Sequence, residues 1–351
     1  MPRSRVSQLL STGVRPERAF LGAGKLTVAI GGKQEANRHD PGEVVSVESF
    51  TAYEMLAELA RTVGLESAYE VVPPPGHVHL NRSNLIVLTN PRLLPFLAQV
   101  MKADPAAQGL IVVLDGATAR TDTGCVHGVA WYAAKLGSTI TGLAADGDRK
   151  LGDVLTDAIG ITARMHPECD LHHPGTPSAT TALIRLTEDS LQYLVLGDTT
   201  VVVDTSDGIE VFNDDRVDTT AQAERAEANR YPFGSTQKQA ALLRMKHAEL
   251  ALRNQPGGFW VAAADPTVVT HAISGQIPLT AVKRVAVLTD GAARLVTMFD
   301  LLDWQGVLDV LDQHGPTELI RRVRAIEAAD PNGTKWPRNK GSDDATAVYA
   351  N

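Results

Sequence analysis

From residue 109 onward the chain consists mainly of short apolar runs separated by polar turns. Apolar runs of this kind that are rich in β-branched residues predict buried β-strands. The predicted strands cover residues 110–115, 179–186, 191–197, 200–204, 210–213, 259–262, 284–290 and 345–350. Because the turns at residues 187–190 and 205–208 are short, we predict that the four strands between 179 and 213 form an antiparallel meander.

Longer stretches between these strands have the pattern of helices. They cover residues 124–144, 150–166, 217–229 and 235–254, with three further helical stretches between 292 and 328. Many antiparallel strands combined with grouped helices are typical of the α+β class. We therefore predict two stacked sheets covered by helices, an α+β sandwich.

The first hundred residues have a different pattern. The polar segment 31–42 predicts a loop. After it we predict strands at 44–47, 69–72 and 84–89 and helices at 51–63 and 91–101. This alternation is typical of a small α/β module. The predicted domains are residues 1–105 and residues 106–351, and the first either binds a regulatory partner or completes the sandwich.

Composition narrows the class of protein. The chain of 351 residues carries a net charge of −8, and its pI is near 5.7, which argues against a nucleic-acid-binding protein. Two cysteines are too few for a disulfide framework. No apolar stretch is long enough to span a bilayer, and no long apolar segment follows the N-terminus. A cytoplasmic protein without nucleic-acid or membrane partners is the expectation.

Four acidic motifs follow or end strand-like segments and carry the candidate chemistry. They are Asp115-Gly116, Gly197-Asp198-Thr199, Thr289-Asp290-Gly291 and Ser342-Asp343-Asp344-Ala345-Thr346. Carboxylates at strand ends can meet at one rim of a sheet, where they repel one another unless a cation lies between them. Oxygen-rich sites of this kind suit hard cations such as Mg²⁺ or Mn²⁺. The sequence therefore predicts a carboxylate-built metal site.

The order of these motifs resembles that of the metal-dependent (PPM, type-2C) protein Ser/Thr phosphatases of bacterial type, over about residues 109–350. The resemblance implies a four-layer helix–sheet–sheet–helix sandwich with two Mn²⁺ or Mg²⁺ ions between the sheet edges. Asp115 would bridge the ions, and Gly116 would offer its backbone carbonyl. Asp290 and Asp343 would complete the pair of sites, while Asp198 would hold a weaker third ion together with Asp290.

The same resemblance implies an activity. A hydroxide that bridges two divalent cations would attack a phosphomonoester in line, without a covalent intermediate. The cations would offset the charge on the phosphoryl oxygens. A phosphorylated protein is the substrate that the resemblance implies, and the predicted catalytic residues are Asp115, Asp290 and Asp343.

Some features of the family have no clear match. Its Asn-Glu-Asp segment and upstream phosphate-binding arginine correspond locally only to residues 81–84, which contain no acid, although Glu35, Asp40 or Arg82 could substitute. A second hypothesis is therefore a pseudophosphatase that binds without turnover. A third is a structural interaction protein whose acidic turns are incidental.

Two arginines lie close to the Asp-Gly motifs. Arg120 and Arg294 are candidates for bidentate phosphate binding, and surface or ion-pair roles are the alternative. Separately, His166, Cys169 and His172 have the spacing of zinc ligands. A polar loop between a helix and a strand is the alternative for that segment, because it holds one cysteine and the second half of a zinc motif is missing.

Overall fold

A computed structural model describes the backbone of residues 85–88 and, in full, residues 109–144 and 147–350. The other elements predicted before residue 109, together with Glu35, Asp40 and Arg82, lie outside the described residues. The strands are β1 Leu85–Leu88, β2 Gly109–Gly116, β3 Ala179–Leu186, β4 Ser190–Leu196, β5 Thr200–Thr205, β6 Gly208–Phe212, β7 Ile273–Pro278, β8 Val282–Leu288 and β9 Ala347–Ala350. The helices are α1 Gly128–Ala144, α2 Leu151–Arg164, α3 Gln222–Asn229, α4 Thr236–Leu252, α5 Asp290–Thr297 and α6 Trp304–Ala329.

The described strands form two antiparallel sheets. The first has the order β1-β2-β3-β4-β7 and the second the order β6-β5-β8-β9. Alternate residues of a strand face opposite sides of its sheet, so a sheet that is covered on both faces has apolar residues at successive positions. Strand β5 shows this pattern, since all of its residues are buried.

Three apolar layers hold the fold together. The outer face of the first sheet packs on α1 and α2, with Leu136 and Leu155 fully buried between them. The inner faces of the two sheets meet around Val113 and Val287. The second sheet packs on α5 and α6 around Leu308. The predicted helix–sheet–sheet–helix sandwich is confirmed.

The predicted single meander is wrong, because β4 and β5 belong to different sheets. The chain crosses from one to the other at Gly197, whose φ of 90° favours glycine. A Cβ at this position would lie 2.7 Å from Thr180 Cγ2. The Gly-Asp motif is therefore a crossover between sheets, and this crossover brings Asp198 to the edge of both.

Two other predictions fail on the first sheet. Residues 259–262 form only isolated bridges, from Phe259 to Arg253 and from Ala262 to Ala179, instead of a strand. The strand that was not predicted, β7, lies at the sheet edge, and several of its residues are exposed. Its polar sequence carries no apolar run because one side of an edge strand needs no burial.

The helices follow the prediction with shifted ends. Helix α6 is interrupted at Gly315, where φ is 79° and Pro316 follows, so its two halves match two of the three predicted stretches. Strand β1 pairs with β2, which makes it a member of the first sheet. The division at about residue 105 stays a prediction. No helix among the described residues is both long and apolar enough to cross a membrane.

Candidate active site

The four acidic motifs meet at one edge of the sandwich. Asp115 ends β2 in the first sheet, and Asp198 lies in the crossover that leaves that sheet. Asp290 begins α5 directly after β8, and Asp343 precedes β9. Electrostatic interactions join Asp115 to the other three carboxylates, so residues far apart along the chain share one cluster.

Two threonines align the ends of β8 and β9. The backbone N–H of Thr289 donates to the carbonyl of Thr346, and the N–H of Thr346 donates to the Thr289 hydroxyl, each over 3.0 Å. Gly291 then passes so close to the next strand that a Cβ would lie 1.7 Å from the carbonyl oxygen of Asp344. The glycine of this Asp-Gly motif is needed for close approach, which places Asp290 beside Asp343.

The central pair is Asp115 and Asp290. Burial raises the pKa of Asp115 well above its usual value, and the charges of Asp290, Asp343 and Asp198 raise it further. Burial and the charge of Asp343 likewise raise the pKa of Asp290. The side chain of Asp115 and the charges of Arg294 and Lys340 act against this rise in the pKa of Asp290. The cluster therefore carries more negative charge than its surroundings neutralise.

Asp198 extends the cluster toward a further carboxylate. Burial raises the pKa of Asp198 well above its usual value, followed by the charges of Asp290 and Asp218. Its backbone carbonyl accepts a hydrogen bond of 2.9 Å from the Asn213 side chain, which fixes the crossover. Asp218 was not predicted, because it stands in a polar segment without a motif. Because its charge acts on Asp198, the structure adds Asp218 to the acidic cluster.

Asp343 has a different environment, because two cations hold its carboxylate. Arg294 Nη2 lies 2.6 Å from Oδ2, and Lys340 Nζ binds Oδ1. Burial raises the pKa of Asp343, but the charges of Lys340 and Arg294 outweigh it and the net pKa is lowered. Arg294 Nη1 is also 2.6 Å from Glu327 Oε1. Asp343 is thus ionised and fixed in place.

This arrangement decides how Arg294 functions. Its side chain is 5% exposed, and both of its terminal nitrogens are engaged by carboxylates. Because no face of the guanidinium is left for a bidentate phosphate, the ion-pair alternative is favoured over the predicted substrate-binding role. Arg120 remains a candidate, since it is exposed and donates a 3.4 Å hydrogen bond to the Asn339 carbonyl.

A cationic groove adjoins the cluster, directly after Gly116. It is lined by Ala117 and Thr118 of the loop after β2, by Thr176 before β3, by Lys246 of α4 and by Arg253 directly after α4. Arg253 Nη1 donates to the Thr176 carbonyl over 2.7 Å, which anchors its side chain at the wall. The groove is suited to an anion.

Electrostatic interactions connect this groove to the carboxylates. Burial lowers the pKa of Lys246, and the Glu249 carboxylate acts against this. The charges of Arg253, Arg120 and Lys340 lower the pKa of the same amine further. Since Lys340 also binds Asp343, its charge links the groove lysine electrostatically to the cluster. Sequence patterns missed Lys246 and Arg253; for Lys340, the i,i+3 spacing to Asp343 is a signal.

The donor set fits hard divalent cations in part. Asp115, Asp198 and Asp290 offer only oxygen atoms, and their raised pKa values show that positive charge is needed among them. Asp343 also offers oxygen atoms, but both are already held by cationic side chains. The first three residues are thus ready to bind a cation, whereas Asp343 would have to exchange Lys340 for one.

No family model matches this chain, and no curated protein matches it. Similar solved structures include the S. agalactiae serine/threonine phosphatase, with 14% identity, a TM-score of 0.45, and coverage of 78% of this chain and 95% of that one. Stp1 from Staphylococcus aureus has 15% identity and a TM-score of 0.41 over 69% and 83%. The phosphatase PstP in complex with two manganese ions has 15% identity and a TM-score of 0.37 over 69% and 88%. At such identities the likeness is one of fold.

Proposed function

We propose that this chain is a Mn²⁺- or Mg²⁺-dependent phosphomonoester hydrolase that acts on phosphoserine or phosphothreonine in proteins. The observation that carries the proposal is the meeting of Asp115, Asp198, Asp290 and Asp343 in one partly buried cluster. A set of buried carboxylates that raise one another's pKa is unfavourable without a cation, and such perturbed sites are concentrated at functional positions.

The residues have separable roles in this proposal. Asp115, Asp198 and Asp290 would hold the cations, with the Gly116 carbonyl as a further ligand and Asp343 joining them when Lys340 moves away. Two divalent cations bound there would supply acidity to a water molecule and positive charge to the phosphoryl oxygens. The N–H of Gly291 donates to Asp290 Oδ1 over 2.6 Å, so this carboxylate is oriented before any ligand arrives.

The cationic groove would receive the substrate. A phosphate group entering beside Gly116 would meet Lys246 and Arg253, with Arg120 at the exposed rim. These cations replace, in this proposal, the upstream arginine that the family resemblance implies. A cytoplasmic location is proposed with this activity, in keeping with the two unpaired cysteines.

Lys340 favours a second candidate function, that of a pseudophosphatase. Its ammonium group binds Asp343, and its charge lowers the pKa of both Asp115 and Asp290. A tethered cation in this position neutralises part of the cluster without a metal ion. In that case the chain would keep the fold and a binding surface, and a regulatory partner would act through residues 1–105.

Metal dependence separates the two functions. Hydrolysis of p-nitrophenyl phosphate and of a phosphothreonine peptide by the full chain is expected to rise saturably with Mn²⁺ and to fall to background with a chelator. Calorimetric titration with Mn²⁺ on the same protein measures binding independently. Saturable Mn²⁺ binding without hydrolysis would select the pseudophosphatase, and the absence of both would reject both functions.

Lys340→Gln is expected to strengthen Mn²⁺ binding by roughly tenfold, which corresponds to about 1.4 kcal/mol. The substitution removes the cation that competes for Asp343, while Arg294 still holds Oδ2. Calorimetric titration with Mn²⁺ gives the dissociation constant. Lys335→Gln is the matched control, because that lysine is exposed and lies over the Trp336 ring. Weaker Mn²⁺ binding by Lys340→Gln would show that Lys340 supports the metal site instead of competing with it.

A further inference from the structure

A second cluster of ligand-type side chains lies apart from the carboxylates. Cys125 and His127 immediately precede α1, and His166 and Cys169 closely follow α2. One ligand atom from each of these four residues lies within 4.8 Å of all the others. Helices α1 and α2 pack antiparallel, so the start of α1 lies near the end of α2. This packing brings the two pairs of residues together.

Four of the six distances between the ligand atoms of this cluster are close to those of a tetrahedral site. The two sulfur atoms are 3.4 Å apart, and the Cys125 sulfur is 3.6 Å from His166 Nδ1. His127 Nδ1 lies 3.8 Å from the Cys125 sulfur and 3.5 Å from the Cys169 sulfur. Zinc–sulfur bonds of about 2.3 Å and zinc–nitrogen bonds of about 2.0–2.1 Å separate tetrahedral ligands by about 3.3–3.8 Å.

The surroundings of the ligands also resemble those of a zinc site. The other ring nitrogen of His127, Nε2, lies 3.2 Å from Glu168 Oε1, and such carboxylates orient zinc-bound histidines. Trp131 stacks on the His127 ring at 4.2 Å between centroids and provides an apolar wall.

His166 is the buried member of the cluster. It is 2% exposed, and its Nε2 atom has no hydrogen-bond partner among the residues that the structure describes. The other ring nitrogen, Nδ1, faces the Cys125 sulfur. A disulfide between Cys125 and Cys169 would leave that nitrogen and His127 Nδ1 without a ligand. A metal ion engages all four side chains at once.

We propose that these two cysteines and two histidines form a structural zinc site that fastens the loop after β2 to the loop after α2. Four protein ligands close the coordination sphere, which is the arrangement of structural rather than catalytic zinc. The spacing predicted from the sequence paired His166 and Cys169 with His172. The structure instead supplies Cys125 and His127, and His172 is exposed.

The site has a consequence for the cationic groove. The loop after β2 and the loop after α2 already touch, with the N–H of Asp170 donating to the Gly124 carbonyl over 2.9 Å. Farther along, a Cβ on Gly175 would lie 2.3 Å from the Asp122 carbonyl oxygen. Both loops line the groove through Thr118 and Thr176. Zinc would therefore hold the groove wall in shape.

Zinc content and a cobalt spectrum test the proposal. The full chain, produced in zinc-supplemented medium and dialysed against metal-free buffer, is expected to retain one zinc ion per chain by mass spectrometry. Cys125→Ser and Cys169→Ser are expected to lower this content at least tenfold. His172→Asn and Asp290→Asn are the controls and should retain it, the second because the carboxylate cluster is a separate site.

Cobalt substitution reads the ligands directly. Co²⁺ added to the zinc-free chain is expected to give thiolate charge-transfer absorption and the intense visible bands of tetrahedral coordination. This measurement uses the unmodified chain, so it decides the question even where a cysteine variant fails to fold. Absence of these bands, less than stoichiometric zinc in the unmodified chain, or a Cys125–Cys169 disulfide found by mass spectrometry would each overturn the proposal.

Discussion

Asp115→Asn is expected to abolish metal-dependent phosphate release while making the metal-free protein more stable. The carboxylate would bridge the cations, and losing it removes several kcal/mol of transition-state stabilisation, so hydrolysis should fall by about 10³-fold or more. Without metal the ionised Asp115 carboxylate destabilises the folded chain. Burial raises its pKa, and the charges of Asp290, Asp343 and Asp198 raise it further. A neutral amide of the same shape should therefore stabilise the chain by about 1–2 kcal/mol.

The pH dependence of stability gives a second readout of this substitution. Asp115 has a higher pKa in the folded state than in the unfolded state, where it is about 3.9. At this group the folded state therefore binds more protons, and the contribution of Asp115 to stability is fully present below the unfolded pKa and is lost as pH rises through the folded pKa. Urea unfolding with a chelator present should show this fall in the unmodified chain and a smaller one in Asp115→Asn.

Asp189→Asn provides the matched control for both measurements. This aspartate lies exposed in the turn between β3 and β4, away from the cluster. Its replacement should leave hydrolysis unchanged and alter the free energy of unfolding by no more than about 0.5 kcal/mol. Full activity of Asp115→Asn would remove this residue from the catalytic machinery, and lower stability without metal would contradict the proposed repulsion.

The sequence pattern predicts the strand that is buried on both sides, β5, and does not predict the edge strand β7. Strand β5 is recognisable because each of its residues is buried, whereas β7 at the sheet edge has three successive exposed residues at its centre. The prediction of a strand at 259–262 is wrong for the opposite reason, because this segment is apolar but is not a strand. It packs against the first sheet, and Trp260 joins that core, but only isolated bridges connect it to neighbouring chain.

The acidic residues of the candidate site are predictable because motif and strand end coincide. The cationic residues near the site are not predictable, since Lys246 lies within α4 and Arg253 directly after it, neither in a motif. Arg294 shows the limit most clearly. Its nearness to Asp290 in sequence favoured a phosphate-binding role, but the first turns of α5 direct it inward to Glu327 and Asp343. The direction in which a side chain leaves a helix depends on how that helix packs. Nearness along the sequence does not reveal this direction.

Arg294→Met is expected to lower the free energy of unfolding by about 3 kcal/mol, at the lower end of the range for breaking a buried ion pair. The substitution leaves two buried carboxylates with one partner fewer. The loss is limited because Glu327 keeps a 2.6 Å contact with Arg324 and Asp343 keeps Lys340. Urea denaturation measures this change. Arg322→Met removes a partly exposed ion pair with Glu318 and should cost at most about 1 kcal/mol.

The same variant separates a positioning role from a substrate-binding one. If Arg294 acts by holding Asp343, Arg294→Met should weaken Mn²⁺ binding in the absence of any phosphate, and Arg294→Lys should recover part of the loss by keeping one charged contact. An arginine that binds the substrate phosphate would behave differently, because its replacement raises KM and leaves Mn²⁺ affinity and the free energy of unfolding unchanged. That second pattern would return Arg294 to the substrate site, in conflict with the two carboxylates that occupy its guanidinium.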